Sequence, residues 1–360
     1  MKNSFIRQSI KRTGLLISAL FLFYSTSIAQ IDNFDFLRSV PQDAEKFLKA
    51  YMEPWTNAFG AGLNGGWYNT AKPHKPLGFD ITTSFNVGVV PSSATEFDLS
   101  RIGLSSSIVA TGKTPTVAGK KDEGPVMQYK EGAYTLASFN APQGTGFRFI
   151  PVPTLQLGVG LPMGTEIKGR FIPNLKIGDN GKIGLWGIGL MHNITQYLPG
   201  DKLLPFDVSV FAGYTKLTAE AALSILPDPS ISNYTSPYNI STSFDNQMMN
   251  LTSNGLNVSA IASLNLPVIT FYGGLGYSKT HTEIALEGNF PTPTLAGVNP
   301  QYNNTGVKTG ANFTGISIEN FSGLRANIGF RIKLAVITIH ADYTRAQYNV
   351  LSAGLGLSFR

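Results

Sequence analysis

The sequence has no cysteine in 360 residues and little charge, with Asp, Glu, Lys and Arg making up 14%. Without cysteine there is no disulfide framework and no lipidated cysteine, and a structural zinc site lacks its usual thiolate ligands. The charged fraction lies well below the ~25% typical of soluble domains. Low charge together with 38 glycines favours a protein whose surface meets lipid over a soluble globular protein.

Long apolar runs are also missing beyond the first residues, so no stretch reaches the ~20 apolar residues of a transmembrane helix. The first segment has the layout of a signal peptide. Four basic residues precede an apolar core over 15–24, and small residues at 27–29 complete the pattern. We therefore predict a signal peptide over 1–29, cleaved before Gln30, and export to the bacterial outer membrane. The remaining chain is nearly neutral, which gives no indication of nucleic-acid binding.

One amphipathic helix is predicted, between Pro41 and Trp55. Its apolar residues recur at helical spacing, opposite a charged face, and Pro54 is expected to end it. We predict that residues 30–58 form a helical plug or a periplasmic segment, followed by a barrel over 59–360. The predicted plug face consists of Phe47, Leu48, Tyr51 and Trp55.

Beyond the helix, apolar and polar residues alternate with a period of two. In 350–359, for example, Leu, Ala and Phe alternate with Ser and Gly. Alternation over about ten residues is typical of a strand with lipid on one side and a lumen on the other. The predicted strands are 61–69, 79–89, 97–108, 154–161, 164–173, 181–192, 205–217, 254–265, 267–280, 321–333, 335–346 and 350–359. The fold class is all-β: a transmembrane antiparallel up-and-down β-barrel of about 12 strands (12–14) with a short N-terminal amphipathic helix.

The connections between these strands alternate in length. Tight turns are predicted at 162–164, 265–267 and 333–335, whereas 109–152, 218–253 and 286–320 are long and polar. Short periplasmic turns and long outer loops are the usual arrangement in such barrels. This arrangement predicts that both ends of the mature chain lie in the periplasm.

Charged residues in the strands must point into the lumen, because Lys or Arg facing lipid at midplane depth would cost about 2–4 kcal/mol each. Inward glycines, as at Gly158/Gly160, Gly187/Gly189 and Gly354/Gly356, would let the backbone bend or let a plug approach closely. The candidate lumen residues for ligand binding are Glu166, Lys168, Arg170, Arg325, Arg331, His340 and Asp342.

Three strands end in the same outward pattern, a tyrosine followed two residues later by a cation. The tyrosines are Tyr214, Tyr277 and Tyr343. A tyrosine at the interface and a cation just beyond it suit the outer rim, where an aromatic girdle meets lipopolysaccharide phosphates. A simpler alternative is that strand ends often carry Lys or Arg.

Little in the sequence indicates catalysis. Only four histidines occur, none at helical metal-ligand spacing, and there is no nucleotide-binding motif. His340 and Asp342 share a strand face and could form an Asp–His pair, although a polar lumen explains them equally well. We predict no enzyme activity, no metal and no cofactor.

The segments Val-Pro-Thr-Leu-Gln-Leu-Gly at 152–158 and Gly-Thr-Glu-Ile at 164–167 carry a family resemblance. Together with the helix-then-barrel layout, they resemble an uncharacterised outer-membrane barrel family of unknown function, distantly similar to fatty-acid transporter (FadL-like) barrels. The resemblance implies a lumen plugged by the N-terminal segment and hydrophobic ligands that leave sideways into the membrane. The chain departs from those transporters in its smaller strand number and in lacking their Asn-Pro-Ala motif, and it ends on Arg360 after the expected terminal aromatic, Phe359.

Two functions remain open: a channel or transporter for small or hydrophobic molecules, and a structural or partner-binding barrel that acts through its loops. An enzyme built on His340 and Asp342 is the weakest alternative. The predicted partners are outer-membrane lipid, lipopolysaccharide, the barrel-assembly machinery and a small hydrophobic ligand.

Overall fold

The computed structural model describes residues 35–38, 41–177, 181–199, 204–225, 246–288, 290, 292–295, 305–308, 316–318 and 322–359. The predicted signal peptide lies outside these residues. One long helix, α1, spans Pro41–Leu63. The strands of the main sheet are β1 Phe79–Val89, β2 Phe149–Leu161, β3 Thr165–Ile177, β4 Gly181–Asn193, β5 Phe206–Ala222, β6 Met248–Asn265, β7 Ile269–Glu287, β8 Ser322–Leu334, β9 Ile337–Arg345 and β10 Asn349–Phe359.

These ten strands form a closed antiparallel up-and-down barrel. Each strand pairs with the next, and β1 also pairs with β10, which places Phe79 opposite Phe359 and closes the ring. Closure satisfies the backbone hydrogen bonds of every strand without an exposed edge, as a bilayer requires. Short turns, including 162–164 and 335–336, lie at one end of the barrel, called the turn end. Longer connections, including 90–148, lie at the other, called the loop end.

The predicted count of 12 strands is not confirmed, because two predicted strands lie outside the barrel wall. Segment 61–69 is the end of α1 and a stretch enclosed by the lumen, where Leu63, Trp67 and Tyr68 are all buried. A wall strand alternates in exposure because one face meets lipid, and an enclosed segment does not. Segment 97–108 belongs to the long connection 90–148, where short strands pair locally, as Glu96–Asp98 does with Lys113–Pro115.

The helix is longer than predicted, because it does not end at Pro54. Proline removes one intrahelical hydrogen bond and costs about 3 kcal/mol in a helix interior. Here Pro54 and most residues that follow it are buried. Packing on all sides of the helix compensates for the lost bond, so α1 continues to Leu63. Of the described helices, none is both long enough and apolar enough to span a bilayer.

The chain enters the barrel from the loop end. Asp43, in the first turn of α1, accepts hydrogen bonds from the backbone N–H (2.8 Å) and hydroxyl (2.5 Å) of Ser105 in the connection 90–148. Residues 64–78, called the lumen segment, then pass through the lumen to the turn end, where β1 begins. The first described residues therefore lie at the loop end and Phe359 at the turn end. The predicted first residue of the mature chain, Gln30, lies outside the described residues, so the prediction that both ends of the mature chain share one side stays a prediction.

Two apolar regions stabilise this arrangement. The outer face of the barrel exposes Ile81, Leu157, Ile188, Leu275 and Leu355, at positions that alternate with buried polar residues. At the loop end a cap core forms between the first half of α1, the connection 90–148 and the outer parts of the strands. Strands β5, β6 and β7 have 17, 18 and 19 residues, more than the ~9–11 that span a bilayer. Their outer ends therefore extend beyond the membrane and support the cap.

Candidate functional site

The centre of the lumen is a contact between two wall arginines and the end of α1. The last carbonyls of a helix have no helical N–H partner, and this end carries partial negative charge. Arg170 donates from Nη1 to the carbonyl of Leu63 at 2.9 Å and from Nη2 to that of Gly65 at 2.7 Å. Arg325 donates from Nη1 to the carbonyl of Asn64 at 2.6 Å. Two strands of the wall thus hold the point where the helix becomes the lumen segment.

The surroundings of Arg170 explain how a charge with only 2% exposure is accommodated. Its guanidinium carbon lies 3.7 Å from the ring centroid of Trp67, a cation–π contact. Its Nε donates to Oε1 of Gln156 at 3.1 Å, and Gln156 in turn donates to the carbonyl of Trp67 at 3.2 Å. Backbone carbonyls, a side-chain amide and the face of an indole therefore stabilise the charge of Arg170, as a carboxylate would in an ion pair.

Between these arginines and the turn end, aromatic side chains fill the lumen. Trp67 and Tyr68 of the lumen segment pack against Phe211 and Tyr272 of the wall. The indole fits only because the wall has glycine beside it: a Cβ on Gly189 would lie 2.9 Å from Trp67 Cζ3. The predicted close approach of a plug at inward glycines is confirmed here.

The same is true nearer the turn end, where a Cβ on Gly160 would lie 2.3 Å from the carbonyl oxygen of Lys75. Gly354, by contrast, makes room for the ring of His340, a side chain of the wall itself. Inward glycines therefore accommodate both the lumen segment and large wall residues.

An ionic cluster fixes the lower end of the lumen segment. Glu166 accepts the backbone N–H of His74 at 2.9 Å, and the same carboxylate oxygen lies 2.9 Å from His74 Nδ1. Lys168 contacts the other oxygen of Glu166. Ligand atoms of His74, Asp80 and Glu166 lie within 4.8 Å of one another, a spacing compatible with a cation. The ammonium of Lys168 already supplies positive charge to Glu166, so the geometry favours an anchor for the lumen segment.

His340 and Asp342 are both buried, but they do not contact each other. Asp342 accepts a hydrogen bond from the hydroxyl of Tyr272 at 3.0 Å. His340 Nε2 lies 3.4 Å from the Ser84 hydroxyl, and its Nδ1 lies 3.5 Å from the Asn69 amide nitrogen. The side chains therefore lack the hydrogen bond by which a carboxylate orients a catalytic imidazole.

The structure brings every predicted lumen residue into the interior. Each is at most 9% exposed: Glu166, Lys168, Arg170, Arg325, Arg331, His340 and Asp342. They lie at the three places in the lumen described above, namely the arginine contact with α1, the aromatic side chains and the ionic cluster, and Arg331 lies near the turn end. The sequence did not single out the lumen segment that they contact, because Trp67 and Tyr68 were assigned to a wall strand.

The predicted plug residues lie nearer the loop end than the lumen segment does. Phe47 packs edge-on against Phe97 of the connection 90–148, with ring centroids 5.5 Å apart. Leu48 is fully buried in the cap core, and the hydroxyl of Tyr51 donates to the carbonyl of Gln143 at 2.8 Å. Trp55 stacks on Phe59 at 5.1 Å. These four residues join α1 to the cap.

The three girdle tyrosines lie on the outer face of the barrel. Tyr277 and Tyr343 are 44% and 39% exposed. Tyr214 lies beside outward-facing Trp186, with ring centroids 5.5 Å apart, and donates to Asn254 Oδ1 at 2.8 Å. Their position fits the predicted aromatic girdle, whose contact with lipopolysaccharide stays a prediction.

A closed antiparallel barrel with an apolar outer belt and a polar, charged interior is the fold of outer-membrane β-barrel proteins. Within that class, the chain belongs to a family of unknown function (DUF6588), whose match covers residues 9–359. The predicted resemblance to an uncharacterised barrel family is thus confirmed.

Several solved structures are similar to this chain at low identity. The outer membrane protease OmpT from Escherichia coli is 9% identical with a TM-score of 0.33, over 82% of this chain and 100% of that chain. The translocator domain of the autotransporter NalP from Neisseria meningitidis is 10% identical with a TM-score of 0.27, over 87% and 96%. The toluene transporter TbuX from Ralstonia pickettii is 9% identical with a TM-score of 0.20, over 83% and 96%. No curated protein sequence matches the chain.

Proposed function

We propose that this protein is a gated outer-membrane channel or transporter whose lumen is closed by its own N-terminal segment. The observation that carries the proposal is how the lumen is filled. The wall contributes many small inward side chains, and a separate stretch of chain occupies the space that they leave. Small side chains such as Ser84, Ser209, Ser259 and Thr282 face the interior. The remaining space is taken by the end of α1 and by the lumen segment.

The close fit of the wall supports this division. A Cβ on Gly88 would lie 1.9 Å from the carbonyl oxygen of Ala58, and a Cβ on Gly255 would lie 2.8 Å from Asn64 Oδ1. A ten-stranded barrel with bulkier inward residues could fill its own interior, as small barrels do. This wall does not, so removing the segment would leave a polar passage.

On either side of its aromatic residues, the segment is held by hydrogen bonds to side chains of the wall. Arg170 and Arg325 bind carbonyls, and Glu166 binds the His74 amide. Water can replace such bonds when a segment moves, at a net cost of about 1.5–3 kcal/mol for each bond to a charged group. A polar interface of this kind suits a gate.

The polar lumen favours small water-soluble molecules as cargo. The hydrophobic ligand suggested by the family resemblance stays a prediction. Since His340 and Asp342 do not form a dyad, we also propose that the protein is not an enzyme.

A second candidate function is a permanently sealed barrel that binds a partner through its loop end. The cap core favours it, because α1 and the connection 90–148 form a packed apolar unit over the lumen. In this alternative the lumen segment is a structural support and never leaves.

Single-channel recording in planar bilayers tests the proposal. Replacing Arg170 and Arg325 by alanine removes the donors that hold the end of α1, so we expect more frequent or larger openings than in the wild type. The matched control replaces outward-facing Lys279 and Arg345 by alanine and should leave the current unchanged. A folded R170A/R325A protein that opens no more often and no wider than the wild type would favour the sealed barrel.

Localisation to the outer membrane, cleavage before Gln30 and insertion by the barrel-assembly machinery through Phe359 are part of the same proposal. Membrane fractionation and unboiled-versus-boiled gel mobility test them. Recovery of the processed chain as a water-soluble periplasmic protein would contradict them.

A further inference from the structure

A cavity of about 260 Å³ lies at the turn end, between the lower part of the lumen segment and the wall. It shares His74 with the contacts used above for closure of the lumen. Its polar lining includes Thr70, Asn265, Thr270 and Ser358. Ligand pockets for drug-sized molecules measure ~300–1,000 Å³, so this cavity suits a small ligand or one chemical group of a larger one.

Positive charge dominates the lining. Lys72 and Lys75 come from the lumen segment, and Arg331 and Lys333 come from β8. No carboxylate residue is among the described residues that line the cavity. Within the described parts of the chain, no carboxylate lies within ion-pair distance of these four cations.

Arg331 is the most informative member. It is 9% exposed, and its Nε is buried without a hydrogen-bond partner. Its other nitrogens make only long contacts, 3.4 Å to Asn69 Oδ1 and 3.5 Å to the Ser358 hydroxyl. A buried guanidinium normally has shorter, charge-assisted bonds.

Lys333, two residues further along β8, donates to the same Ser358 hydroxyl at 3.1 Å. Two cations therefore share one neutral oxygen. Burying the unpaired charge of Arg331 is costly, and an anion bound between Arg331 and the half-buried Lys333 would remove that cost.

The nearest carboxylates are engaged elsewhere. Glu166 contacts His74 and Lys168. Asp80 accepts from the Thr82 hydroxyl at 2.7 Å and lies 3.8 Å from His74 Nδ1. His74 Nε2 lies 3.0 Å from Ser358, and neither carboxylate lines the cavity. Their charges still act on Arg331, but they are fewer than the four cations of the lining.

We propose that this cavity binds a phosphate monoester group, with Arg331 and Lys333 as its main ligands and Lys72 and Lys75 at its mouth. Several cations beside hydroxyl donors match a group with two negative charges and three oxygens better than a singly charged carboxylate. The group could belong to a soluble molecule or to a lipid, because Leu266 and Val268, 45% and 52% exposed, also line the cavity. Because Lys72 and Lys75 belong to the lumen segment, the site is complete only while that segment is in place, whether or not the segment also gates the lumen.

Isothermal titration of the refolded full chain in non-ionic detergent tests the site. One arm uses glycerol 3-phosphate and the other a short-chain phosphatidic acid. We expect saturable binding in at least one arm: a soluble source predicts the first, and a lipid source predicts much tighter binding in the second. Absence of saturable binding at millimolar concentrations in both arms would overturn the proposal.

Variants locate the site. R331Q/K333Q should weaken binding about tenfold or more, because it removes both charge-assisted contacts to the phosphate group. K72Q/K75Q, on exposed lysines, should weaken it less and tests the site even if R331Q/K333Q fails to fold. The matched control K120Q/K121Q removes the same charge at the loop end and should bind like the wild type. Equal losses in the control and the cavity variants would contradict the site.

Discussion

The guanidinium of Arg170 lies on the indole of Trp67 at 3.7 Å while it binds the carbonyls on either side of Asn64. One residue of β3 therefore fixes both the end of α1 and the bulkiest side chain of the lumen segment. Because the two contacts meet at one side chain, its replacement tests how strongly the segment is held.

Replacing Arg170 by alanine should lower the free energy of unfolding. Two buried carbonyls lose their donor, at about 1–3 kcal/mol each, and the cation–π contact is lost. R170K should lose less, because the ammonium keeps its charge but cannot bind both carbonyls in a fork. The urea midpoint, followed by heat-modifiable gel mobility, measures both. Equal midpoints for the wild type and R170A would show that the contact adds nothing to stability.

Replacing Gly189 by valine should destabilise the barrel, because its Cβ would meet Trp67 and Phe211 at 2.9 Å and 3.0 Å. If the clash is with the indole, the same change should cost less in a W67A background, with a coupling of about 0.5–3 kcal/mol. Gly169, whose Cβ would meet nothing within 4 Å, provides the matched control as G169V. Additive effects of G189V and W67A would mean that the two sites do not interact.

Tyr51 should make the cap sensitive to alkali. Burial raises the pKa of Tyr51 well above its usual value of 10.0, since the charged phenolate is disfavoured inside the cap. The folded state therefore keeps the proton that the unfolded chain releases above about pH 10. Stability from this group is complete below that pH and falls as the pH rises towards the folded-state pKa.

A comparison of wild type and Y51F checks this. Y51F should be less stable near neutral pH by about 0.5–1.5 kcal/mol, from loss of the bond to Gln143, and less sensitive between pH 9 and 11. Y197F, at an exposed tyrosine, should behave like the wild type. Parallel stability curves for wild type and Y51F would contradict the assignment.

The sequence predicted the barrel well because lipid imposes a period of two on every wall strand. The charged positions in β3, β8 and β9 pointed inward for the same reason: lipid excludes them. The pattern failed where lipid is absent. In 61–69 the chain is enclosed, and in 97–108 only the two ends are strand, at Glu96–Asp98 and Ile108–Val109, with a 3-10 turn at Leu99–Arg101 between them.

The local sequence pattern could not predict the longer helix or the passage of the chain through the lumen. Pro54 normally ends a helix, and only tertiary packing in the cap overrides it. The pairing of Arg170 and Arg325 with the end of α1 joins residues more than 100 positions apart, and nothing in their neighbouring residues indicates it. The inward glycines and the family resemblance indicated a close-fitting segment, but neither indicated that residues 64–78 form it.

Because the chain enters the barrel at the loop end and reaches the turn end through the lumen, two engineered cysteines at these ends should be labelled from opposite sides of the membrane. K49C, on the exposed face of α1 at the loop end, should react with a membrane-impermeant maleimide on intact cells. Y197C, in the turn-end connection after β4, should react only after permeabilisation. The native chain has no cysteine, so the wild type is a blank. Labelling of Y197C alone on intact cells would reverse the orientation.

Movement of the N-terminal segment is the central feature of the proposed gate, and a reversible cross-link tests that movement directly. A Cβ on Gly62 would lie 3.3 Å from the Cβ of Val152, close to the ~3.5–4.5 Å of a disulfide. G62C/V152C, recorded in planar bilayers, should be silent when oxidised and should show openings once reductant is added, while each single cysteine variant should be indifferent to reductant. Identical currents from the oxidised and reduced protein would contradict a gate formed by this segment.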